Sequence, residues 1–317
     1  MSLIGQSASA FAPASTGNLS VGFDLLGGAL ERLDGQPLGD RVRVTFAAAD
    51  SLSNIGDYAH VCPEDKAQNL AWQAYRLFRA RLKQDDFPKV KMTLTKSLPV
   101  GSGLGSSACS VVAALTALNR LFAEPYSDAQ LLHLMGEVEA KASGSLHYDN
   151  VAPSYFGGLQ LMSPNLDSPT IALPVPESWY LVVAYPGFAF ATKTAREALP
   201  AQYDKPIAIE NAQHLSAFVA HLYRNEAVEA AQVIKDVLAE PYRGPVIQGF
   251  VETKQALVEQ GALAVGISGA GPTLFAITTE KAKAKAFESY LAKEYLINGT
   301  GFVHICRIAR LGAKQLD

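Results

Sequence analysis

The stretch that decides the fold is Pro99-Val-Gly-Ser-Gly-Leu-Gly-Ser-Ser-Ala108. It follows Lys89–Lys96, where apolar and polar residues alternate as in a half-buried strand, and it leads into a segment whose first charged residue is Arg120. Three glycines let the backbone approach a ligand closely. The first turn of the following helix has unpaired N–H groups at the positive end of its dipole. The stretch therefore predicts a strand, a phosphate-binding loop and a helix.

The common nucleotide and hydrolase motifs fit this chain poorly. A P-loop needs Lys after its last glycine, where Ser106 stands, and a GxGxxG pattern that begins at Gly101 would need glycine at 106. The nucleophile elbow GxSxG fails at Gly266–Ala270, whose fifth residue is Ala. Taken alone, the glycine loop is equally compatible with a plain turn between a strand and a helix, so other segments must decide.

Two further segments consist largely of small residues. Ala12–Asp24 reads APASTGNLSVGFD, and Gly266–Thr273 reads GISGAGPT. Because side chains there are small, such loops can lie against a ligand or another backbone segment. The three segments together favour a ligand site.

In sequence and order these segments resemble the GHMP small-molecule kinases, the family of galacto-, homoserine, mevalonate and phosphomevalonate kinases. Pro99–Ala108 is similar to the PxxxGLGSSA phosphate loop, Ala12–Asp24 to the N-terminal motif and Gly266–Thr273 to the C-terminal glycine motif. The resemblance spans nearly the whole chain. Ala12–Asp24 and His147–Gly158 look like the homoserine kinase branch, with departures from its usual pattern at three small residues, Gly17, Ser20 and Val21.

The resemblance implies an α+β fold of two domains, with ATP and substrate between them. Residues 1–165 would form a ribosomal-protein-S5-like domain that carries the phosphate loop, and residues 166–317 a ferredoxin-like domain. Independently, Pro, Ser, Asn and Asp accumulate at Met162–Pro176, which predicts a boundary there. The family implies ATP and Mg²⁺ as cofactors, L-homoserine as the acceptor of the phosphoryl group, and a homodimer.

The resemblance also assigns roles to individual residues. A zwitterionic acceptor needs a carboxylate for its ammonium group and arginine for its carboxylate. The implied acceptor-binding residues are Asn18, Asp24, Asn150, Arg196 and Arg243. The implied Mg²⁺ ligands are Ser106 and Glu137. The implied ATP-binding residues are Pro99, Val100, Gly101, Ser102, Gly103, Leu104, Gly105, Ser106, Ser107, Ala108, Cys109 and, in the adenine pocket, Asn69.

The implied catalytic residues are Ser106, Glu137, Asp149 and Asn150. In the homoserine kinase branch Asn150 would position the acceptor hydroxyl without a dedicated base, while Asp149 is the formal candidate for one. We expect Asp149→Asn to weaken acceptor binding and to retain turnover.

Several alternatives stay open at this point. Glu137 could simply pair with Lys141 one helical turn later on a solvated face. Ser107, His147 and Asp149 could be drawn as a hydrolase triad, although such triads are defined by geometry. The chain could phosphorylate another small alcohol, such as a mevalonate-type compound or a sugar, or bind nucleotide without catalysis.

Composition excludes some classes of protein. The chain has 317 residues, 27 Lys and Arg against 30 Asp and Glu, and no basic block, which argues against a nucleic-acid partner. Three scattered cysteines favour a reducing compartment. The uncharged run Ser97–Asn119 begins with Pro, Gly and Ser and is too short in apolar residues to cross a bilayer. We therefore expect a cytoplasmic location.

Periodicity places further elements along the chain. We predict helices at Ala67–Leu82, from Ser127 to near Gly144, and at Ile209–Tyr223, Ala227–Leu238 and Val246–Gln260. We predict strands at Arg41–Phe46, Tyr180–Tyr185, Ala262–Ile267, Thr273–Thr278 and Phe302–Ile308.

Overall fold

A computed structural model describes residues 3–82, 87–144, 146–164, 169–190 and 192–316, with the backbone alone described at residues 142, 143, 192 and 193. Its strands are β1 (Ser7–Pro13), β2 (Ser15–Gly17), β3 (Leu26–Arg32), β4 (Gly39–Phe46), β5 (Ser51–Ile55), β6 (Val90–Thr95), β7 (Leu159–Met162), β8 (Thr170–Leu173), β9 (Tyr180–Tyr185), β10 (Ala264–Ile267), β11 (Leu274–Thr278), β12 (Phe302–Ile308) and β13 (Lys314–Leu316). Its α-helices are α1 (Leu70–Leu82), α2 (Ser106–Leu121), α3 (Asp128–Ser143), α4 (Val151–Phe156), α5 (Thr192–Glu197), α6 (Lys205–Tyr223), α7 (Ala227–Gln232), α8 (Glu240–Arg243), α9 (Phe250–Glu259) and α10 (Lys281–Glu294).

Two sheets carry these helices. The five-stranded sheet has the order β13-β1-β4-β6-β5, and α2 packs across β1 and β4 with α1 and α3 beside it. The second sheet has the order β10-β11-β9-β12-β3-β7-β8, with β2 paired to β3. Helices α9 and α10 pack on its far end, against β9, β10, β11 and β12. The architecture is α+β, as predicted.

The two halves of the sequence share both sheets. Strand β12 pairs with β3 in the register Cys306 to Arg32, and β13 pairs with β1 in the register Leu316 to Ser9. The division proposed between residues 165 and 166 falls outside the described residues. On either side of it, β7 and β8 pair antiparallel, so the predicted boundary at Met162–Pro176 includes strand residues. A strand of four residues, such as β8, is too short for the alternation of apolar and polar residues to be recognised in the sequence.

Helix α2 is the central element of the first half. Of its 16 residues, all but three are buried, which explains the absence of charge before Arg120. The wide use of Ala and Val lets the helix lie close to the sheet and to its neighbouring helices. Within the described ranges, no helix is both long enough and apolar enough to span a membrane.

Most predicted elements are present, with shifts at their ends. Strands β9 and β12 have the predicted bounds, and α3 begins with the predicted capping box of Ser127 and Gln130. The predicted helix at Ala227–Leu238 was wrong in its second half, because α7 ends at Gln232. Beyond it, the Asp236 carboxylate accepts hydrogen bonds from the next backbone amides and forms a turn.

Candidate functional site

Backbone hydrogen bonds join the three small-residue segments. The Ser15 amide donates to the carbonyl of Leu104 at 3.1 Å, which ties the N-terminal segment to the glycine loop. The Gly269 amide donates to the carbonyl of Gly17 at 3.0 Å, which ties the C-terminal segment to the N-terminal one. Segments more than 80 residues apart in sequence thus form one surface.

Gly103 shows how closely these segments approach each other. Its φ is +82°, and a Cβ there would lie 2.3 Å from the carbonyl oxygen of Ser268. The Ser268 hydroxyl donates to the Gly103 carbonyl at 2.8 Å. No other residue type satisfies both the backbone conformation and the available space.

The start of α2 is open toward a ligand. Its N-cap is Gly105, at φ +64°, and no side chain caps the first turn. Ser106, Ser107 and Ala108, the first residues of the helix, line a cleft. Uncapped amides and the helix dipole together make this a favourable place for an anion.

The cleft has a volume of about 430 Å³ and is bounded by all three segments. Its lining residues are Asn18, Phe23, Asp24, Leu70, Val100, Gly101, Ser102, Gly103, Gly105, Ser106, Ser107, Ala108, Glu139, His147, Asp149, Asn150, Val151, Arg196, Arg243, Gly269 and Ala270. The lining thus combines the glycine loop with several charged side chains.

Glu139, which the sequence analysis missed, is the acidic residue beside the glycine loop. It lines the cleft and accepts a hydrogen bond of 2.5 Å from the Ser107 hydroxyl. Burial raises the pKa of its carboxyl, while the Ser107 hydrogen bond lowers it. A half-buried carboxylate and a hydroxyl, both hard oxygen donors, are suited to a divalent cation.

Glu137, the predicted Mg²⁺ ligand on α3, does not line the cleft. Its carboxylate lies on the other side of α3, outside the cleft, and pairs with the Arg81 guanidinium at 2.7 Å. Two positions along a helix turn a side chain by about 200°, so the choice between Glu137 and Glu139 required the helix orientation. Ser106 lines the cleft as predicted, but its hydroxyl donates to the Leu98 carbonyl at 3.2 Å and Ser107 makes the contact with Glu139.

In the same cleft, Asp24 and Arg196 form an ion pair. The two guanidinium nitrogens lie 3.0 and 3.3 Å from the two carboxylate oxygens. The same guanidinium donates to His147 Nε2 at 2.9 Å, so this nitrogen is unprotonated and the ring is neutral with its proton on Nδ1. Burial lowers the pKa of His147, in agreement with that state. The Nε of Arg196 is buried without a partner among the described residues.

Asp149 lies against this ion pair. Its side chain is buried, and its Oδ2 accepts a hydrogen bond from Asn150 Nδ2 at 3.1 Å. Burial, with the Asp24 charge adding to it, raises the pKa of Asp149 to about 7, and Arg196 opposes that shift. Asn150 is fixed in turn by the Ser15 hydroxyl, which donates to Asn150 Oδ1 at 3.0 Å.

Asn18 and Arg243 also reach the cleft, but backbone groups already bind them. Asn18 Nδ2 donates to the Gly269 carbonyl at 2.9 Å, and its Oδ1 accepts from the Asp24 amide at 2.8 Å. Arg243 is 3% exposed and donates from Nε to the Ala195 carbonyl at 2.9 Å. Asn18 therefore holds two loops together while it lines the cleft.

Four residues assigned to ATP do not line the cleft. Pro99, Leu104 and Cys109 are buried beneath the glycine loop, where Cys109 Sγ contacts the Pro13 carbonyl. Asn69 uses its Oδ1 to cap α1 at the Ala71 amide and its Nδ2 to bind Asn54. A sequence motif does not show which of its side chains point inward, so it could not separate these residues from those that line the cleft.

The side chains of Ser107, His147 and Asp149 do not form a hydrolase triad. The Ser107 hydroxyl bonds Glu139, and His147 bonds Arg196, so neither contacts the other. Asp24, His147 and Asp149 do place ligand atoms within 4.8 Å of one another, an arrangement that could hold a cation. The Arg196 guanidinium already supplies positive charge to two members of this group.

Comparisons with known proteins agree with this geometry. Residues 69–158 match the family described as the GHMP kinases N-terminal domain, and residues 218–297 match the GHMP kinases C-terminal family. The crystal structure of homoserine kinase from Cytophaga hutchinsonii is 32% identical, covers 98% of this chain and 97% of its own, and superposes with a TM-score of 0.89. The chain belongs to the GHMP kinase family.

More distant GHMP kinase folds superpose over nearly the same length. A candidate homoserine kinase from Listeria monocytogenes is 21% identical, with coverage of 98% and 100% and a TM-score of 0.71. The mevalonate kinase of L. major, in complex with R-mevalonate, is 17% identical, with coverage of 97% and 98% and a TM-score of 0.71. These likenesses show the two-domain GHMP kinase fold and leave the acceptor open.

GHMP kinases are ATP-dependent phosphotransferases, and the cleft suits that chemistry. The family's phosphate loop is Pro99–Ala108 in this chain, and it presents the uncapped start of α2 to the cleft. Ser107 and Glu139 could hold a divalent cation, because each offers a hard oxygen donor and the Ser107 Oγ and Glu139 Oε1 atoms lie 2.5 Å apart.

Proposed function

We propose that this GHMP kinase is a homoserine kinase, which transfers the γ-phosphoryl group of ATP to the hydroxyl of L-homoserine and releases O-phospho-L-homoserine and ADP. The observation that carries the proposal is the charge arrangement of a single cleft. A loop suited to an anion lines it together with an acidic residue, Asp24, and two arginines, Arg196 and Arg243. The Cytophaga hutchinsonii homoserine kinase, 32% identical over nearly the whole chain, supports the same acceptor.

The charged residues of the cleft match those of a zwitterionic amino acid, with each charge facing one of opposite sign. Asp24 would bind the ammonium group, and Arg196 and Arg243 the carboxylate. Asp24 and Arg196 satisfy each other in the free cleft, so an amino acid offers each a new partner. A carboxylate without an ammonium group would compete for Arg196 and leave Asp24 unpaired, at a cost in free energy. The unsatisfied Nε of Arg196 is a further donor for a carboxylate.

Phosphoryl transfer needs alignment and compensation of negative charge more than covalent help from the protein. The acceptor oxygen forms a bond to the γ-phosphorus as the bond to the bridging oxygen of ADP breaks. Asn150, fixed by Ser15 and Asp149, would orient the acceptor hydroxyl, whose proton passes to the transferred phosphoryl group. Asp149→Asn is therefore expected to raise the KM for the acceptor and to keep measurable turnover.

Ser107 and Glu139 would hold Mg²⁺ beside the loop. When bound, this ion compensates the charge of the β- and γ-phosphates. The loop amides at the start of α2 would bind the phosphates from the other side, and Glu139 would be held in its ionised, binding state by the ion.

The test is ADP release in a coupled assay with homoserine, serine, mevalonate and galactose. We expect kcat/KM to be highest for homoserine. It should fall at least 100-fold for 4-hydroxybutyrate, which has the same chain and carboxylate without the ammonium group, because the half-buried Asp24 is then left unpaired. Preference for mevalonate or galactose would show a different GHMP kinase. No ADP release with any alcohol, despite nucleotide binding, would show a non-catalytic nucleotide-binding protein.

A further inference from the structure

A buried ion pair lies directly beneath the phosphate loop. Lys96 follows β6 and is 3% exposed, and Asp40 in β4 is fully buried. The Lys96 ammonium lies 2.5 Å from Asp40 Oδ2. Removing two charges from water is costly, and replacing a buried ion pair by apolar residues is often neutral or stabilising. Stability alone therefore explains this pair poorly.

Asp40 binds the chain where it enters the phosphate loop. Its Oδ1 accepts hydrogen bonds from the amides of Ser97 at 2.9 Å and Leu98 at 3.2 Å. These are the last two residues before Pro99, where the loop begins. One carboxylate oxygen thus fixes the first end of the loop to β4.

Lys96 binds the chain where it leaves the loop. Its ammonium donates to the Ser106 carbonyl at 2.7 Å and to the Ser110 hydroxyl at 3.0 Å. Ser110 in turn donates to Asp40 Oδ2 at 2.7 Å. These contacts reach the first two turns of α2, whose amides line the cleft. The second end of the loop is therefore tied to the same pair.

Neighbouring segments hold the loop at Leu104 and Gly103, and the buried pair holds its two ends. Gly101, Gly103 and Gly105 all have positive φ and carry no side chain that could anchor the loop. Small shifts of the two ends would therefore move the amides that face a phosphate. Positioned donors lose binding and rate when displaced by as little as about 1 Å.

We propose that Lys96 and Asp40 form a clasp that sets the position of the phosphate-loop amides for the nucleotide. Neither residue lines the cleft, so both are positioning residues that act through the loop and the start of α2. The inference rests on the proposed binding of ATP at this loop. It assigns the pair to the nucleotide and not to the acceptor, because Asp40 and Lys96 contact the two ends of the loop and none of the charged residues proposed for the acceptor.

The test variant is Lys96→Met with Asp40→Asn. The amide oxygen of Asn keeps an acceptor for Ser97 and Leu98, and neither residue is left as an unpaired buried charge. The matched control is Asn119→Ala. Asn119 clamps the other end of α2 through two hydrogen bonds to the backbone of Tyr126, far from the loop.

Measurements are the thermal midpoint, the Kd of a fluorescent ATP analogue, and the KM values for ATP and homoserine. For the folded double variant we expect the Kd and the KM for ATP to rise at least tenfold, with the KM for homoserine within twofold of wild type. The control should lower the thermal midpoint and leave both KM values unchanged. A milder variant, Ser110→Ala, removes one arm of the clasp and should weaken ATP binding about threefold even if the double variant does not fold.

Unchanged nucleotide affinity in the folded double variant, or in Ser110→Ala should the double variant not fold, would overturn the inference. Equal increases in both KM values would also overturn it, because they would indicate a general loss of structure. If the wild-type protein itself bound no ATP analogue, the proposed function would be refuted first, and the clasp with it.

Discussion

Glu137 and Glu139 stand two positions apart on α3 and face opposite environments. Glu139 lines the cleft and contacts Ser107, and Glu137 pairs with Arg81 at the surface. The same chemical group thus has two roles, and only the rotation of the helix about its axis separates them. The two residues form a matched pair for testing the metal assignment.

We expect Glu139→Gln to lower kcat at least 100-fold and to raise the Mg²⁺ concentration needed for half-maximal activity, because a neutral amide is a weaker ligand for a hard cation. Glu137→Gln, the control, should leave both values within twofold, since it breaks only an exposed ion pair worth less than about 1 kcal/mol. Steady-state kinetics over a Mg²⁺ titration decides. If Glu137→Gln and not Glu139→Gln lowered kcat and raised the Mg²⁺ requirement, Glu137 would be the metal ligand.

Asp149 gives the site a pH dependence of stability. Its pKa is raised to about 7 by burial, so the folded protein binds the proton more tightly than the unfolded chain does. Below about pH 4 both states are protonated, and nothing is lost. Between pH 4 and 7 the unfolded chain ionises first, and stability falls by a total on the order of 4 kcal/mol, a loss that persists above pH 7.

Asp149→Asn should remove this loss. We expect the variant to be more stable than wild type in urea unfolding at pH 8, and the difference to shrink steadily as the pH falls toward 4. The amide oxygen of Asn can still accept the hydrogen bond from Asn150, so packing is conserved. A variant that is destabilised equally at every pH would show that the carboxyl is not the titrating group.

At the scale of elements, the phosphate loop is placed by what surrounds it. The C-terminal segment approaches Gly103 too closely for a side chain, and the loop has no internal apolar anchor apart from the buried Leu104. Its glycines supply the positive φ values, and its two ends are tied by Asp40 and Lys96. The loop is thus one layer of a stack of three backbone segments.

We expect Gly103→Ala to abolish measurable ATP binding while the protein stays folded, because the methyl group must displace the Ser268 carbonyl and hence the loop. The control is Gly35→Ala. Gly35 has a similar φ of +74° but no atom within 4 Å of a Cβ, so it should cost about 1 kcal/mol in stability and nothing in nucleotide affinity. Isothermal titration with ATP and thermal melts separate the two effects. Equal affinity of Gly103→Ala and wild type would contradict the close approach.

At the scale of the whole molecule, each sheet contains strands from both halves of the sequence. Strand β12 lies between β9 and β3, and β13 adds to the edge of the first sheet beside β1. The cleft likewise takes its charged side chains from both halves, since Asp24 pairs with Arg196. Neither half carries a complete sheet or a complete site.

We therefore expect thermal unfolding in a single cooperative transition, whose midpoint rises when ATP or homoserine is added. A ligand at 100 times its Kd stabilises the folded state by about 2.7 kcal/mol. Calorimetry should show the whole endotherm moving with either ligand. Two transitions, only one of which responds to ligand, would indicate that the halves unfold independently.

The homodimer and the cytoplasmic location stay predictions.

By itself, the sequence determined the phosphate loop, the helix after it and the family, because glycine spacing and the uncharged α2 are local properties that hold in any context. It also placed Asp24, Asn150, Arg196 and Arg243 near one site through family motifs. Only the tertiary structure decided between Glu137 and Glu139, removed Asn69 and Cys109 from the cleft, and joined the halves through β3 and β12. Those outcomes depend on which way a helix or strand turns its side chains, and packing against distant segments sets that direction.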